Sequence, residues 1–284
     1  MTNIRGQSID KTHLSIDNAE DRGFIHRDYI AHCLRWSHVV KHLGKQSRWR
    51  NAKILDIGCG SEAPLAKLLY SSRYIVNKYV GVDLNKPVDR KWGKFPFKSL
   101  RMDAAEITTT HLGYTPNYIT WFEMIEHIEP EHGLRILDNC MTLLDEGGTM
   151  FVSTPCYDPE VGAAGNHVSE YTYQALGYLF ERRGWSIENH WGTFASIKDY
   201  KSHMEPEHEV IFDDLRDYYD VNLLSCIFAP FYPQYSRNCL WELKPRFWTN
   251  VTGLDDSEFE FKFDRPSEDE PWCSSPRWQE LLDV

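Results

Sequence analysis

The 284-residue chain is 42% apolar, enough for one substantial core in a domain of catalytic size, and its net charge of -11 denies it any general attraction for nucleic acid. The acidity is uneven, with ten acidic against three basic side chains from Leu254 onward and 32 acids against 28 bases before it. With no run of about eighteen apolar residues, a polar first twenty positions and seven cysteines lacking any C-x-x-C pair, the composition argues against a membrane span, a signal peptide, a disulfide framework and a structural zinc site, and predicts a soluble, cytoplasmic protein.

Residues 1 to 20 show little periodicity and are expected to be loose. From Ile25 to Leu43 the positions Tyr29, Cys33, Trp36, Val40 and Leu43 recur at helical spacing, which predicts an amphipathic helix ending near Gly44. "AKILDIGCG" then reads as a short apolar strand running into a glycine turn, and Pro64 in the following "APLAKLLYSS" suits the first turn of a helix. "KYVGVDLN" is a second strand ending on Asp83, "SLRMDA" a third ending on Asp103, and "NYITWFEM" a fourth. Pro130 opens a helix with Leu134, Leu137, Met141 and Leu144 on one face, stopped by Gly147 and Gly148, and "TMFVSTP" is a fifth strand.

"EYTYQALGYLFERRGW" is expected to be a helix with Ala175, Leu176, Leu179 and Phe180 facing inward. "WSIENHW" and "NCLWELKP" supply two late strands separated by a long helical insert, roughly Ile211 to Phe228. Strands alternating with helices imply an α/β fold with a mostly parallel sheet covered on both faces. The acidic segment "DDSEFEFKFDRPSEDEPW" is expected to be extended or disordered unless Phe259, Phe261, Phe263 and Trp272 dock on the body.

The glycine turn admits two readings. Gly58, Gly60 and Ala63 satisfy the G-x-G-x-x-G/A dinucleotide pattern, a weak signal alone. Asp56, two residues before the first glycine, instead offers a carboxylate at the strand end for a ligand ammonium group.

"ILDIGCG", the acidic Asp83 closing the second strand, "MDA" after the third, "FEMIEHI" after the fourth and "LLDEGG" before the fifth together resemble class I S-adenosylmethionine-dependent methyltransferases, over about residues 52 to 154 and in the right order. The resemblance implies a Rossmann-like, doubly wound, seven-stranded sheet. It implies a methyltransferase domain at 51–250, preceded by a flexible N-terminus and helical cap at 1–50 and followed by an acidic tail at 251–284. It places the cofactor S-adenosylmethionine on Asp56, Gly58, Gly60, Asp83, Leu84, Asp103, Ala104 and Phe122. In that site the glycines admit the methionine part, Asp56 helps hold its ammonium end, Asp83 accepts both ribose hydroxyls, and Asp103 with the Ala104 backbone meets the adenine. Glu62 stands where the family often has a third small residue.

Glu123, Glu126 and His127 form an E-x-x-E-H run at the end of the fourth strand, and His167 follows the fifth. Two carboxylates and two imidazoles form a donor set for Mg²⁺, Mn²⁺ or Zn²⁺, and such an ion lowers the pKa of a bound hydroxyl. "FEMIEH" with the later "STP" and H-x-x-E-Y resembles the metal-assisted O-methyltransferases of ubiquinone biosynthesis and of small-RNA 3′ ends. That resemblance makes Glu123, Glu126, His127 and His167 metal ligands and Glu126, His127 and His167 catalytic. The ion-free alternative leaves them as acid, base or positioning groups, with Glu170 supporting the following helix.

The expected acceptor is a hydroxyl-bearing small molecule. A nucleic-acid acceptor stays open through the small-RNA resemblance, against the missing basic excess; a nicotinamide-dependent oxidoreductase and a non-catalytic ligand-binding protein are the remaining alternatives. "TPCY" puts Cys156 after the wrong strand for a cytosine-5 methyltransferase nucleophile, and "HMEPEHE" groups His203, Glu207 and His208 in an expected surface loop. Arg27 or Tyr29 in "FIHRDYIAH" would lid the cofactor pocket or simply pack. No pattern sets an oligomeric state.

Overall fold

Seven strands form one sheet in the order β3-β2-β1-β4-β5-β7-β6 in the computed structural model of the chain, which describes residues 27–45, 51–74, 76–85, 92–195, 197–246 and 261–282. The strands are β1 (Lys53–Ile57), β2 (Lys78–Asp83), β3 (Phe97–Arg101), β4 (Tyr118–Phe122), β5 (Thr149–Pro155), β6 (Trp185–Phe194) and β7 (Asn238–Pro245). The first five pair in parallel, with the chain reversing its direction of travel across the sheet between β3 and β4. Strand β3 stops at Arg101, so Asp103 lies just beyond it and caps a 3-10 turn at Ala104–Glu106. β6 and β7 run antiparallel: Arg237 N donates to Phe194 O at one end of the pair and Arg246 N donates to Gly184 O at the other.

Hydrophobic sequence puts the strands inside. β1 (KILDI) and β4 (YITWF) are buried along almost their whole length, as expected of central parallel strands covered on both faces. Helix α1 spans Arg27–Lys45, within one residue of the end expected near Gly44; residues 25 and 26, where the periodicity starts, lie outside the described residues. Helix α2 spans Pro64–Ser71, with proline in its first turn, and the short α3 (Thr109–Leu112) is opened by a Thr108–His111 capping box that the hydrophobic pattern did not announce.

Helix α4 (Pro130–Leu143) buries Leu134, Leu137, Cys140 and Leu143; Met141, expected on the same face, is half-exposed. Helix α5 (Tyr173–Arg182) buries the expected Ala175, Leu176, Leu179 and Phe180, and also Gly177, Tyr178 and Glu181.

The C-terminal segment explains that second buried face. Phe263, Trp272 and Cys273 are buried, Phe263 packs on Tyr173 and Trp241, and Phe261 lies against Tyr178. Buried Glu181 accepts hydrogen bonds from Lys262 N, Phe263 N and Arg246. The aromatics of 261–282 therefore dock, whereas Phe259 and residues 1–26 lie outside the described residues.

The chain divides into two compact units, Met1–Ser37 with His190–Leu240 and His38–Asn189 with Trp241–Val284. In the first, the helical insert expected at roughly Ile211 to Phe228 is two helices, α7 (Pro206–Leu215) and α8 (Val221–Phe228), preceded by the short α6 (Ile197–Tyr200), with Pro206 opening α7 and Asp220 capping α8. These helices build a small core of Tyr200, Met204, Phe212, Leu224, Phe228 and Tyr232. The second unit carries the glycine turn and the E-x-x-E-H run. No helix among the described residues is long and apolar enough to cross a membrane.

Candidate functional site

Gly58 and Gly60 close β1 with φ of 66° and 64°, a left-handed pair that side chains with a Cβ rarely adopt. A Cβ on Gly58 would meet Met124 Cγ at 2.2 Å, so the turn is pressed against the segment after β4; a Cβ on Gly60 would meet nothing within 4 Å. Open space therefore lies over Gly60. Its N–H donates to Asp83 Oδ2 at 3.0 Å, and Asp83 Oδ1 accepts from Asn85 N at 2.8 Å, which aims the carboxylate across the turn from the end of β2. Leu84 is exposed beside it.

Asp56 sits deeper. The parallel register sets it opposite Thr120, whose hydroxyl donates to Asp56 Oδ1 at 2.7 Å, while Tyr79 OH donates to Oδ2 at 2.6 Å. Burial pushes its pKa up to about 6, against the lowering effect of the two hydroxyl donors. Burial, with Asp56 and Asp83 adding to it, also drives the Cys59 thiol well above its ordinary value, so that sulfur stays protonated.

Asp103 accepts from Ala105 N at 2.9 Å and from His132 Nε2 at 3.1 Å. Ala104 is buried, its carbonyl accepting from Asn139, and Phe122 is half-buried at the end of β4.

The E-x-x-E-H run begins with a backbone exception. Glu123 N donates to Ser153 O, extending the β4–β5 ladder by one bond, and then φ of 49° turns the chain out of the sheet. A non-glycine residue held in this region stores strain of order 1–3 kcal/mol. The turn feeds a 3-10 turn at Ile125–His127, which brings Glu126 inward.

Glu126 is 1% exposed; Thr154 Oγ1 donates to its Oε2 at 3.0 Å, and its carbonyl accepts from Val168 N and Ser169 N. Those backbone bonds pull the loop after β5 onto the E-x-x-E-H turn, leaving the His127 and His167 rings edge to face at 4.7 Å. His127 Nδ1 meets the Asn166 carbonyl, an oxygen that can only accept, at 3.2 Å, and Nε2 lies 3.9 Å from Glu126 Oε1. His167 Nδ1 is hydrogen-bonded to Glu170 Oε1.

Glu126, His127 and His167 each offer a ligand atom within 4.8 Å of the others. Glu123 is not in that group; Ser153 Oγ donates to its Oε1 at 2.7 Å. The chemistry of the set, one buried carboxylate and two imidazoles whose Nδ1 atoms are tied to oxygen, fits a divalent cation.

Four supporting residues had weak or no sequence signal. Glu170 stands at i+3 from His167 and was legible as H-x-x-E, although its bond to the ring was not. Thr120 and Tyr79 hold Asp56 only through strand register, and Thr154 reaches Glu126 from a neighbouring strand.

Cys156 pairs with Tyr171 in an isolated bridge. In the other unit Glu207 and His208 lie on α7 rather than in a loop, His208 bonds to Tyr232 OH and His203 stacks on Tyr235. Among the described residues, the groups that could share a metal ion include none of His203, Glu207 and His208. The side chains of Arg27 and Tyr29 lie outside the described residues.

Residues 29–205 match the family described as a methyltransferase domain. None of the curated proteins matches the chain in sequence. Among solved structures, the small RNA methyltransferase HEN1 superposes with a TM-score of 0.52 at 16% identity, over 75% of this chain and 25% of that one. The 1,6-didemethyltoxoflavin-N1-methyltransferase of Burkholderia thailandensis, solved with 1,6-didemethyltoxoflavin and S-adenosylhomocysteine, superposes with a TM-score of 0.50 at 15% identity, over 77% of this chain and 79% of that one. At these identities the likeness is one of fold, and the chain spans about a quarter of the length of the first.

Proposed function

The chain belongs to the methyltransferase domain family, and from that premise we propose that it transfers a methyl group from S-adenosylmethionine to the oxygen of a hydroxyl-bearing small molecule, with a divalent cation held by Glu126, His127 and His167. The observation that carries the reading is the convergence of those three side chains beside the end of β4, with Met124 linking the same turn to Gly58.

Bound S-adenosylmethionine supplies an electrophilic methyl on a sulfonium, and a divalent cation supplies positive charge that favours the deprotonated hydroxyl. The rest is done by the chain. Asp83 keeps acceptor capacity on both carboxylate oxygens for a ribose diol, Gly60 leaves room above its α-carbon, and Asp103 with the Ala104 backbone serves the adenine. Glu126 is fixed by Thr154, and Glu170 fixes the His167 ring so that its Nε2 faces away from the Nδ1 bond. His127, with its Nδ1 donating to the Asn166 carbonyl, would offer Nε2 to the cation, and the acidified hydroxyl would release its proton to solvent water as the C–O bond forms and the S–C bond breaks. Alignment of acceptor oxygen, methyl carbon and sulfur accounts for most of the rate.

A small-molecule acceptor is favoured over nucleic acid by the net charge of -11. The test combines titration with chelation. S-adenosylhomocysteine should bind and NAD should not; EDTA should abolish turnover over a panel of hydroxylated acceptors, leave S-adenosylhomocysteine affinity nearly unchanged, and be reversed by Mg²⁺ or Mn²⁺. Full turnover by exhaustively demetallated protein would remove the ion from the reading, and NAD-only binding would remove the methyl transfer.

A further inference from the structure

A second cluster of metal-ligating side chains lies apart in sequence from the E-x-x-E-H turn, within the same unit. His38 and His42 stand at i and i+4 on α1, a spacing that puts both imidazoles on one helix face, and Glu242 comes from the middle of β7. One ligand atom from each lies within 4.8 Å of the others. We propose that His38, His42 and Glu242 form a structural site for a borderline transition-metal ion, Zn²⁺ by donor type, that fastens the C-terminal half of α1 to β7.

Three observations support the site. His42 Nδ1 is 3.6 Å from Glu242 Oε1, beyond hydrogen-bond reach, yet two ligands bound to zinc at about 2.0–2.2 Å with tetrahedral angles are about 3.3–3.6 Å apart. The carboxylate is nearly buried and oriented from behind, since Asn189 Nδ2 donates to Oε2 at 3.0 Å and turns Oε1 toward His42. The rings are walled: Phe151 stands edge-on to both imidazoles, at 6.0 and 5.1 Å, and Tyr118 edge-on to His42 at 6.1 Å. Such packing sets ring planes before an ion arrives. Two imidazoles and one carboxylate suit Zn²⁺ or Co²⁺ better than Mg²⁺, with water completing the shell.

The decisive experiment removes the other cluster first. In a full-length His127→Ala/His167→Ala background, dialysis against Zn²⁺ followed by elemental analysis should leave one equivalent of zinc, and Zn²⁺ should raise the thermal midpoint. Adding His42→Gln and Glu242→Gln should weaken zinc binding by about a hundredfold or more and abolish the shift. X-ray absorption on the zinc-loaded background, which needs no further substitution, should report two imidazole ligands. A background that binds no zinc, a folded His42→Gln/Glu242→Gln variant that keeps its equivalent, or a zinc shell with fewer than two imidazoles would each overturn the site and leave His42 and Glu242 as an ion pair between helix and strand.

Discussion

His167 Nδ1 is hydrogen-bonded to the carboxylate of Glu170, and Glu170 is itself held from the C-terminal segment: its N–H donates to Ser274 Oγ at 2.8 Å and its carbonyl accepts from Ser274 N at 2.9 Å. The second bond of Oε1, from Ala164 N at 2.9 Å, ties the same carboxylate to the loop that carries His167. Glu170 thus supports a candidate ligand rather than serving as one. Glu170→Ala should lower Mn²⁺ affinity by about 10–100-fold while S-adenosylhomocysteine binds as before. Unchanged metal affinity in the folded variant would separate His167 from the ion.

The same segment makes truncation after Asn250 a stability experiment. It would remove buried Phe263, Trp272 and Cys273 together with Lys262 N and Phe263 N, two of the donors to Glu181, leaving Arg246. Loss of one buried aromatic costs about 3–5 kcal/mol, and a domain of this kind has about 5–15 kcal/mol in total. The truncated chain should fail to fold or melt far below the full chain; an equal midpoint would show the docked aromatics to be dispensable.

Gly177 offers a gentler probe of that docking, because a Cβ there would sit 2.4 Å from the Phe263 ring. Helix propensity alone would make Gly177→Ala stabilising by about 1 kcal/mol. The collision should reverse the sign, to a loss of about 1–3 kcal/mol, and the Phe263→Ala background should restore the ordinary gain. Denaturant melts of the two single variants and the double variant would read this directly.

What the sequence disclosed follows from which forces are local. The order of strands, the glycine turn and the E-x-x-E-H run are contiguous patterns, and their spacing alone places Glu126 and His127 after β4. The grip of Thr120 and Tyr79 on Asp56 depends on parallel register, which no local pattern encodes. Acidic composition argued for a loose tail, but composition does not weigh where single aromatics pack; over the described residues 261–282, Phe263 and Trp272 are buried among acidic neighbours. The break between α7 and α8 was hidden because residues 216–220 between them carry neither proline nor glycine.

Asp83 is the most direct test of the cofactor site. Asp83→Ala removes a charge-assisted acceptor for two hydroxyls and also frees Gly60 N and Asn85 N. S-adenosylhomocysteine affinity should fall by about 1.5–3 kcal/mol, roughly 10–150-fold, by titration calorimetry. An unchanged affinity in a folded variant would place the ribose elsewhere.

Asp56 joins stability to the same site through its proton. Its carboxyl, ordinarily near 3.8, is pushed up to about 6 in the folded chain by burial, so the native state holds a proton that the unfolded chain has released between those pH values. Stability from this group is therefore fully present below about pH 4, falls as pH rises through 6 and is flat above, a total of about 3 kcal/mol at 1.36 kcal/mol per unit. Asp56→Asn removes the charge while its amide still pairs with the Tyr79 and Thr120 hydroxyls, each of which can accept. Urea melts should show the variant more stable than the parent at pH 7, by up to about 3 kcal/mol, with the difference vanishing near pH 4. S-adenosylhomocysteine affinity should meanwhile drop if the carboxylate receives the ligand ammonium. An Asp56→Asn chain with the parent's slope between pH 4 and 6 would mean that this proton is carried by another group.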